Sequence, residues 1–274
     1  MGSKDFHTWL GADEPGVALF ECAAGNVAVV SRAKNIPGRV NEDALGFFPM
    51  GGDGAVLVVA DGMGGGAHGE VAAETVIRAI ETQLAPLPDQ PSLSAVRVAI
   101  LTAVEEANRS VLDMGVGAGT TIAAALVSPR RYATIHAGDS VVMVVGQKGR
   151  VKAQTLAHSP VGFAMEAGLL DPDKAMFHHE RHLVSNVVGM VGMRLEIGSP
   201  RKFSLRDTLI LASDGLFDNL TVSEVVEHIR CGPLEEAART VAELAKQRMD
   251  TPLAAEPSKP DDLGMILFRP HRPQ

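Results

Sequence analysis

The chain contains few cysteines, few aromatic residues and no long uninterrupted apolar segment. Its two cysteines, Cys22 and Cys231, are too few for a disulfide framework, which favours a reduced, cytoplasmic protein. No apolar run approaches the roughly 18 residues that a membrane-spanning helix requires. Phenylalanine, tryptophan and tyrosine together make up 4% of the residues, so surfaces that stack nucleic-acid bases are not expected.

The charge and the N-terminal segment narrow the function classes further. A net charge of -8 over 274 residues argues against nucleic-acid binding, which needs a basic face. The N-terminal segment MGSKDFHTWLGADEP lacks the apolar stretch of a secretory signal, so we expect a cytoplasmic location and no membrane contact. Hydrophobic residues make up 46% of the chain, which is typical of a globular protein with a sizeable core.

The pattern of apolar residues predicts an α+β fold. Short apolar runs separated by Gly, Pro and Asn predict β-strands in the first 60 residues, and strands resume after residue 118. Two long amphipathic helices are predicted between these regions and further helices near the C-terminus, where Thr221 and Glu224 form a capping-box pattern. Strands and helices are grouped rather than strictly alternating, which favours packed sheets with helices outside over repeated βαβ units.

Acidic residues occur at the ends of several apolar runs. Asp61, Asp139 and Asp214 follow such runs in VVADGMGG, IHAGD and LILASDG, and Asp261 precedes the last run in KPDDLGMILF. Carboxylates that converge in a folded protein repel one another, because burial and like charge both disfavour ionisation. Proteins usually relieve this repulsion by binding a hard divalent cation, which takes oxygen ligands. The sequence therefore indicates a metal centre lined by carboxylates.

Six motifs together resemble those of the metal-dependent PPM family, the type 2C serine/threonine protein phosphatases. They read NEDA, VVADGMGG, GAGTT, HAGDS, LASDGLFDNL and PDDLGMIL, in the family order from about residue 25 to 269, and Met63 makes the DGMGG motif similar to that of bacterial members. The resemblance implies an αββα sandwich, in which two antiparallel sheets pack face to face between antiparallel helix pairs. It also implies a single phosphatase domain over residues 1–274, with a flap insertion at about 157–193 beside the active site.

The resemblance assigns metal-binding roles to individual residues. Asp61 would bridge two Mn²⁺ or Mg²⁺ ions, and the backbone carbonyl of Gly62 would bind the first of them. Asp214 and Asp261 would bind the second ion. Ligand sets made only of oxygen suit Mg²⁺ or Mn²⁺ rather than zinc. The predicted nucleophile is a water that the two ions activate, and no protein side chain attacks phosphorus.

Further roles follow for the remaining acidic residues. Glu42 and Asp43 would hold waters that are bound to the metals, and Asp139 would help to bind a third, weaker ion that some members contain. The family usually carries Asp-Asn near its C-terminal strand, where this chain has Asp261-Asp262. Alignment to the following strand favours Asp261 as the ligand.

Two positions depart from the family pattern. Many relatives carry an arginine four residues before the acidic pair to bind the substrate phosphate, but here Arg39 lies three residues before Glu42. We interpret Arg39 as the phosphate-binding residue, because a guanidinium suits bidentate phosphate binding, with a surface arginine as the alternative. Met63 replaces a histidine that several relatives use as a general acid. His68 is a weak candidate for that role, and a solvent-facing histidine is the alternative.

The HHERH segment allows a different interpretation. His178 and His182 have the four-residue spacing that would place two zinc ligands on one helix face. We favour the end of the flap instead, because the family commonly has His and Arg there.

The expected function is hydrolysis of phosphoserine and phosphothreonine in proteins by a metal-dependent phosphatase. Its partners would be phosphoproteins, the products of a cognate Ser/Thr kinase, and a monomer is the default assembly. One alternative is a pseudophosphatase that binds phosphoproteins with weak or no turnover, suggested by the shifted arginine and by Val141 after the HAGDS motif, where arginine is usual. Another is a phosphatase of small molecules on the same scaffold, since metals and water recognise only the phosphoryl group.

Overall fold

The predicted apolar runs form β-strands in the structure, a computed structural model that describes residues 5–52, 54–64, 68–253 and 256–271. All named strand pairs are antiparallel and belong to two sheets. The first sheet has the order β1-β4-β5-β7-β8-β11, with β6 beside β5 and β12 beside β8. Its strands are β1 (His7–Leu10), β4 (Asp43–Pro49), β5 (Ala55–Met63), β6 (Gly119–Thr120), β7 (Ile122–Val127), β8 (Arg131–Ala137), β11 (Glu196–Ile197) and β12 (Arg201–Lys202).

The second sheet has the order β10-β9-β13-β14-β3-β2. It brings the C-terminal strand between a strand from the start of the chain and one from its second half, so its pairing is non-local. Its strands are β2 (Ala18–Cys22), β3 (Gly25–Arg32), β9 (Val141–Val145), β10 (Val151–Gln154), β13 (Thr208–Ala212) and β14 (Leu263–Pro270).

Side chains that alternate along the strands place a core on each face of each sheet. In β5, Leu57 and Val59 face the second sheet and pack in one cluster with Leu211 and Ile266. The intervening side chains of β5, such as Val58, pack against helices on the outer face. Burial on both faces explains why β5 reads as a continuous apolar run rather than as an alternating pattern.

Helices cover the outer face of each sheet. Val76, Ile77 and Ile80 of the first long helix are fully buried against the first sheet, and each contributes about 1.5–3 kcal/mol through burial. Two C-terminal helices cover the second sheet in the same way. The layers confirm the predicted αββα arrangement. The helices are α1 (Gly69–Leu84), α2 (Leu93–Asp113), α3 (Pro160–Glu166), α4 (Pro172–Ala175), α5 (Asp214–Phe217), α6 (Val222–Ile229) and α7 (Leu234–Asp250).

Two local features agree with the sequence patterns. The capping box at the start of α6 is present, because Thr221 Oγ1 accepts from the backbone N–H of Glu224 and the Glu224 carboxylate accepts from the N–H of Thr221. Residues 157–193 contain α3, α4 and irregular backbone, with one isolated bridge between Val188 and Thr120. Within the described ranges, no helix combines the length and the apolar character needed to cross a membrane.

Candidate metal centre

Both sheets place acidic residues at the same end of the sandwich. Asp43 begins β4 and lies directly opposite Asp61 near the end of β5. In the second sheet, Asp214 follows β13 and Asp261 stands two residues before β14, which pairs with β13. A hydrogen bond of 2.7 Å from Ser213 Oγ to Asp43 Oδ2 connects the two sheets at this point. The fold thus brings together carboxylates that are far apart in the sequence.

Threonines of the GAGTT motif fix the backbone of Asp61. The N–H of Asp61 donates to Thr121 Oγ1 at 3.0 Å, and Thr120 Oγ1 donates to the Asp61 carbonyl at 2.9 Å. Thr121 Oγ1 also lies 2.7 Å from Ser140 Oγ, next to Asp139. Both threonines are fully buried, so their hydroxyls fix the backbone from which the Asp61 side chain projects.

Gly62 allows the start of α1 to approach β5 closely. A Cβ at this position would lie 2.1 Å from the carbonyl oxygen of Gly69 and 2.6 Å from that of Glu42. The N–H of Gly62 donates to the Glu42 carbonyl at 3.0 Å. The resemblance gives the Gly62 carbonyl a role in metal binding, and the structure adds that no side chain fits at this position beneath α1.

The charges of these carboxylates act strongly on one another. Burial raises the pKa of Asp61 well above its ordinary value, and the charges of Asp214, Asp43, Asp139 and Asp261 raise it further. Such raised values show that the cluster carries more negative charge than its surroundings neutralise.

Asp43 and Asp139 also have raised pKa values. Burial raises the pKa of Asp43, assisted by the charges of Asp262, Asp261 and Asp214 and opposed by the hydrogen bond from Ser213. Burial and the charge of Asp214 raise the pKa of Asp139 to about 7.

Asp262, the neighbour of Asp261, has a different role. Its Oδ1 accepts from the N–H of Lys34 at 2.7 Å, and its Oδ2 accepts from the N–H of Glu42 at 3.0 Å. Lys34 Nζ lies 3.1 Å from Asp262 Oδ2 and 3.1 Å from Glu42 Oε2. Both residues have engaged oxygens, but the Asp262 side chain is 3% exposed and the Asp261 side chain is 23% exposed, which favours Asp261 as the residue accessible to a metal.

Sequence reasoning missed two residues at this centre. Lys259 Nζ contacts Asp214 and Asp261, and it lies 3.0 Å from Asp218 Oδ2. Asp218 Oδ2 is buried, and that contact lacks the geometry of a hydrogen bond. In the DGLFDNL motif, Asp218 follows Asp214 by four residues, about one helical turn from the start of α5. This spacing was the sequence signal that could have identified Asp218.

Arg39 lies at the edge of the centre. It is exposed and lines a cleft of about 600 Å³ together with Lys34 and Asp261. Of the clustered carboxylates, Asp261 lines this cleft, so Arg39 and one member of the acidic centre border the same open space. His68 is also exposed and precedes the first residue of α1, beside Gly69.

A second cluster of titratable groups involves His136, His158 and Glu196, whose ligand atoms lie within 4.8 Å of one another. The backbone N–H of Gly138 donates to His158 Nδ1 at 3.2 Å, so the proton of the neutral ring is on Nε2, which lies 3.5 Å from Glu196 Oε2. His136 Nε2 donates to the Leu156 carbonyl at 2.9 Å. Because both Nε2 atoms carry protons, neither Nε2 offers a lone pair to a metal, whereas His136 Nδ1 holds a lone pair and is buried without a hydrogen-bond partner among the described residues.

The HHERH segment lies elsewhere. Residues 176–185 are not helical, so the spacing of His178 and His182 does not place them on one helix face. The premise of the zinc interpretation is therefore wrong for this segment.

Comparison with known proteins identifies the family. A profile of the family described as protein phosphatase 2C matches residues 32–255. The chain belongs to this family. The phosphatase is 26% identical over 213 residues to the serine/threonine phosphatase stp of Listeria monocytogenes, covering 75% of this chain and 81% of that one.

Solved structures agree with this membership. The Mycobacterium tuberculosis serine/threonine phosphatase PstP/Ppp matches with a TM-score of 0.72 and 25% identity, covering 90% of this chain and 98% of that one. The catalytic domain of PstP in complex with two manganese ions matches with a TM-score of 0.67 and 26% identity, covering 89% and 96%. The predicted family, the fold class and the assignment as a protein serine/threonine phosphatase are confirmed.

Proposed function

We propose that the acidic centre of this phosphatase holds two Mn²⁺ or Mg²⁺ ions and hydrolyses phosphoserine and phosphothreonine in proteins. The observation that carries the proposal is the convergence of Asp43, Asp61, Asp139, Asp214 and Asp261 at one end of the sandwich, with several of their pKa values raised by burial and by each other's charge. Such a cluster is stabilised when cations neutralise it.

The donor atoms fit these ions. Asp61, Asp214 and Asp261 supply carboxylate oxygens and Gly62 a backbone carbonyl, and oxygen donors suit Mg²⁺ and Mn²⁺. Asp61 would contribute to both ions, and Asp214 and Asp261 to the second. The structure of PstP with two manganese ions supports a two-ion centre here.

The roles of the remaining acidic residues extend this set. We assign Glu42 and Asp43 to waters on the ions and Asp139 to a third ion. Lys34 connects two of the elements involved, because it bonds to Glu42 and Asp262. It thereby keeps the acidic pair aligned with the C-terminal strand.

When bound, the ions supply Lewis-acid chemistry, lowering the pKa of a water and offsetting phosphoryl charge. The protein's own residues do the rest. Arg39, which lines the cleft with Asp261, binds and orients the substrate phosphate. The buried Thr121 hydroxyl keeps Asp61 in place during turnover. His68 is the candidate donor of a proton to the leaving Ser or Thr oxygen.

We further propose one phosphatase domain over residues 1–274, with residues 157–193 as a flap beside the active site. The protein would act as a cytoplasmic monomer on phosphoproteins made by a cognate Ser/Thr kinase. The phosphatase relatives support turnover on proteins over a pseudophosphatase or a small-molecule enzyme.

Phosphate release from a phosphothreonine peptide tests the proposal, measured with Mn²⁺, without Mn²⁺ and with chelator. We expect turnover that requires Mn²⁺ and stops with chelator. Absence of release under saturating Mn²⁺ would refute it, and a phosphopeptide that still binds in calorimetry would then identify a pseudophosphatase. A higher kcat/KM on metabolite phosphates than on peptides would instead identify a small-molecule enzyme.

A further inference from the structure

The position of the Lys259 side chain has a consequence for metal binding. Its ammonium group lies among three carboxylates, 2.5 Å from Asp214 Oδ2, 2.9 Å from Asp261 Oδ2 and 3.0 Å from Asp218 Oδ2. The side chain is 27% exposed, so the contacts are shielded from water on most sides. A positive charge of this protein thus occupies the space that these oxygens enclose.

The backbone holds Lys259 in this place. Asn219 Nδ2 donates to the carbonyl of Lys259 at 2.9 Å, and the N–H of Lys259 donates to Asn219 Oδ1 at 2.8 Å. Asn219 is fully buried and also donates to the Gly215 carbonyl at 2.9 Å. The loop before β14 is therefore fastened to α5, and the ammonium group is tethered beside Asp214.

Two of these three carboxylates, Asp214 and Asp261, belong to the proposed second metal site. Asp214 and Asp261 cannot keep an ammonium group at contact distance while they also bind a divalent cation, because the two cations would repel each other at short range. One of them has to leave. The lysine is the group that can move, since its four-carbon side chain is flexible and its backbone is fixed.

The neighbouring cleft is the space that we assign to this movement. The cleft of about 600 Å³ that Arg39 lines is also lined by Pro260 and Asp261, immediately after Lys259. Asp250 lines the same cleft and offers a carboxylate to an ammonium group that has left the centre.

We propose that Lys259 is a tethered internal cation that occupies the second metal position in the metal-free protein and is displaced into the cleft when Mn²⁺ or Mg²⁺ binds. This inference rests on the proposed function, which supplies Asp214 and Asp261 as ligands. Lys259 then sets the apparent affinity of the second ion, because its ammonium group must leave the site before the ion can bind. It also stabilises the metal-free fold by neutralising part of the acidic cluster.

Removing this cation should strengthen binding of the second ion and weaken the metal-free fold, so the two effects can be tested together. In Lys259→Met we expect the second Mn²⁺ to bind about 10- to 100-fold tighter in calorimetry, as expected if the lysine occupies the site for roughly 90–99% of the time. In chelator, the same variant should unfold at a lower temperature than the wild type. A residue with a merely structural role would lower stability without tightening metal binding.

Lys246→Met is the matched control. Lys246 lines the same cleft and is exposed, and among the described residues it forms no ion pair with a carboxylate of the centre, so the substitution makes the same change in charge without vacating the site. We expect its Mn²⁺ affinity and its unfolding temperature in chelator to stay close to wild type. An equal gain of affinity in both variants would mean that net charge, and not occupancy of the site, is responsible.

Unchanged or weaker binding of the second ion in Lys259→Met would overturn the inference while leaving the phosphatase proposal intact, provided that wild type still binds two ions and releases phosphate. Failure of wild type to release phosphate under saturating Mn²⁺ would instead refute the proposed function.

If the variant does not fold, wild-type protein still gives an answer. Acetylation of Lys259, followed by mass spectrometry, should increase when Mn²⁺ replaces chelator, while acetylation of Lys246 stays constant. Equal labelling of Lys259 under both conditions would show that the side chain does not move and would overturn the inference.

Discussion

The acidic centre and the histidine cluster are both buried groups of titratable side chains, but they are satisfied in different ways. In the histidine cluster, His136 Nε2 and His158 Nδ1 bond to backbone groups and His158 Nε2 lies 3.5 Å from Glu196, while His136 Nδ1 is buried without a partner among the described residues. In the acidic centre, burial and neighbouring charge raise the pKa of Asp61 and of Asp43, since too few donors face them. In the first cluster three of the four ring nitrogens have polar partners within the protein, whereas the second cluster concentrates negative charge and requires cations.

This difference shows why residue type alone does not locate a metal site. Two histidines and a glutamate are common zinc ligands, and four aspartates are less distinctive. The hydrogen bonds decide, because a nitrogen that already carries its proton toward a carbonyl has no lone pair left for a metal. Buried charge that lacks enough hydrogen-bond donors is the better indicator of a metal site in this protein.

The largest difference in kcat and Mn²⁺ binding between variants of the two clusters should come from substitutions of the proposed metal ligands. We expect Asp61→Asn and Asp214→Asn each to lower kcat by orders of magnitude, because each removes a charged ligand. Calorimetry should show weakened Mn²⁺ binding in both. His158→Gln is the control from the other cluster and should bind Mn²⁺ like wild type, whereas loss of Mn²⁺ binding in His158→Gln would contradict the distinction.

A smaller effect is expected at Arg39, the proposed phosphate-binding residue. Arg39→Ala should raise KM for a phosphopeptide roughly 10-fold, the size expected when one charged hydrogen bond is lost, with little change in kcat. Steady-state kinetics with saturating Mn²⁺ measure this. Lys246→Met removes a charge from the same cleft and should leave KM nearly unchanged. An unaltered KM in Arg39→Ala would make Arg39 an ordinary surface residue.

The pH dependence of stability should also distinguish the clusters in metal-free protein. Asp139 has a pKa of about 7 in the fold, whereas an unfolded aspartate has a pKa of about 3.9. Between these values the folded state holds a proton that the unfolded state releases, so stability falls as the pH rises from about 4 to 7. Thermal unfolding in chelator measures this slope. Asp139→Asn should reduce it, and an unchanged slope would assign it to other groups.

The smallest effect is expected from Glu196, which is 54% exposed. Glu196→Gln keeps an acceptor for the His158 Nε2 proton and removes only a screened charge, so stability should change by about 1 kcal/mol or less. Thermal unfolding and Mn²⁺ titration together test this. A marked loss of Mn²⁺ affinity would mean that Glu196 contributes to a metal site after all.

Much of the fold and part of the site could be predicted from the sequence. Strands such as β5 and helices such as α1 follow from local apolar patterns, and the motifs identified the carboxylates of Asp61, Asp214 and Asp261 as a group. These features are local, or they belong to short motifs whose order is characteristic. The convergence that the motifs implied is what the strand pairing produces.

The missed residues could not be found in that way. Lys259 reaches Asp214 across 45 positions of sequence, and its place depends on the buried amide of Asn219. Asp262 reaches the N–H of Lys34 across 228 positions. Such contacts depend on the conformation of the loops at the sheet ends, and no periodic pattern in the sequence predicts that conformation.

The hydrogen bonds from Ser213 to Asp43 and from the Glu42 N–H to Asp262 each join an element of one sheet to an element of the other. The chemistry and the alignment of the two layers therefore depend on the same few atoms. A change in the angle between the sheets would pull the ligands apart, and a change of ligand would release the layers at this end. The residues that pack between the sheets can therefore vary only if the distance between the acidic strand ends of the two sheets is preserved.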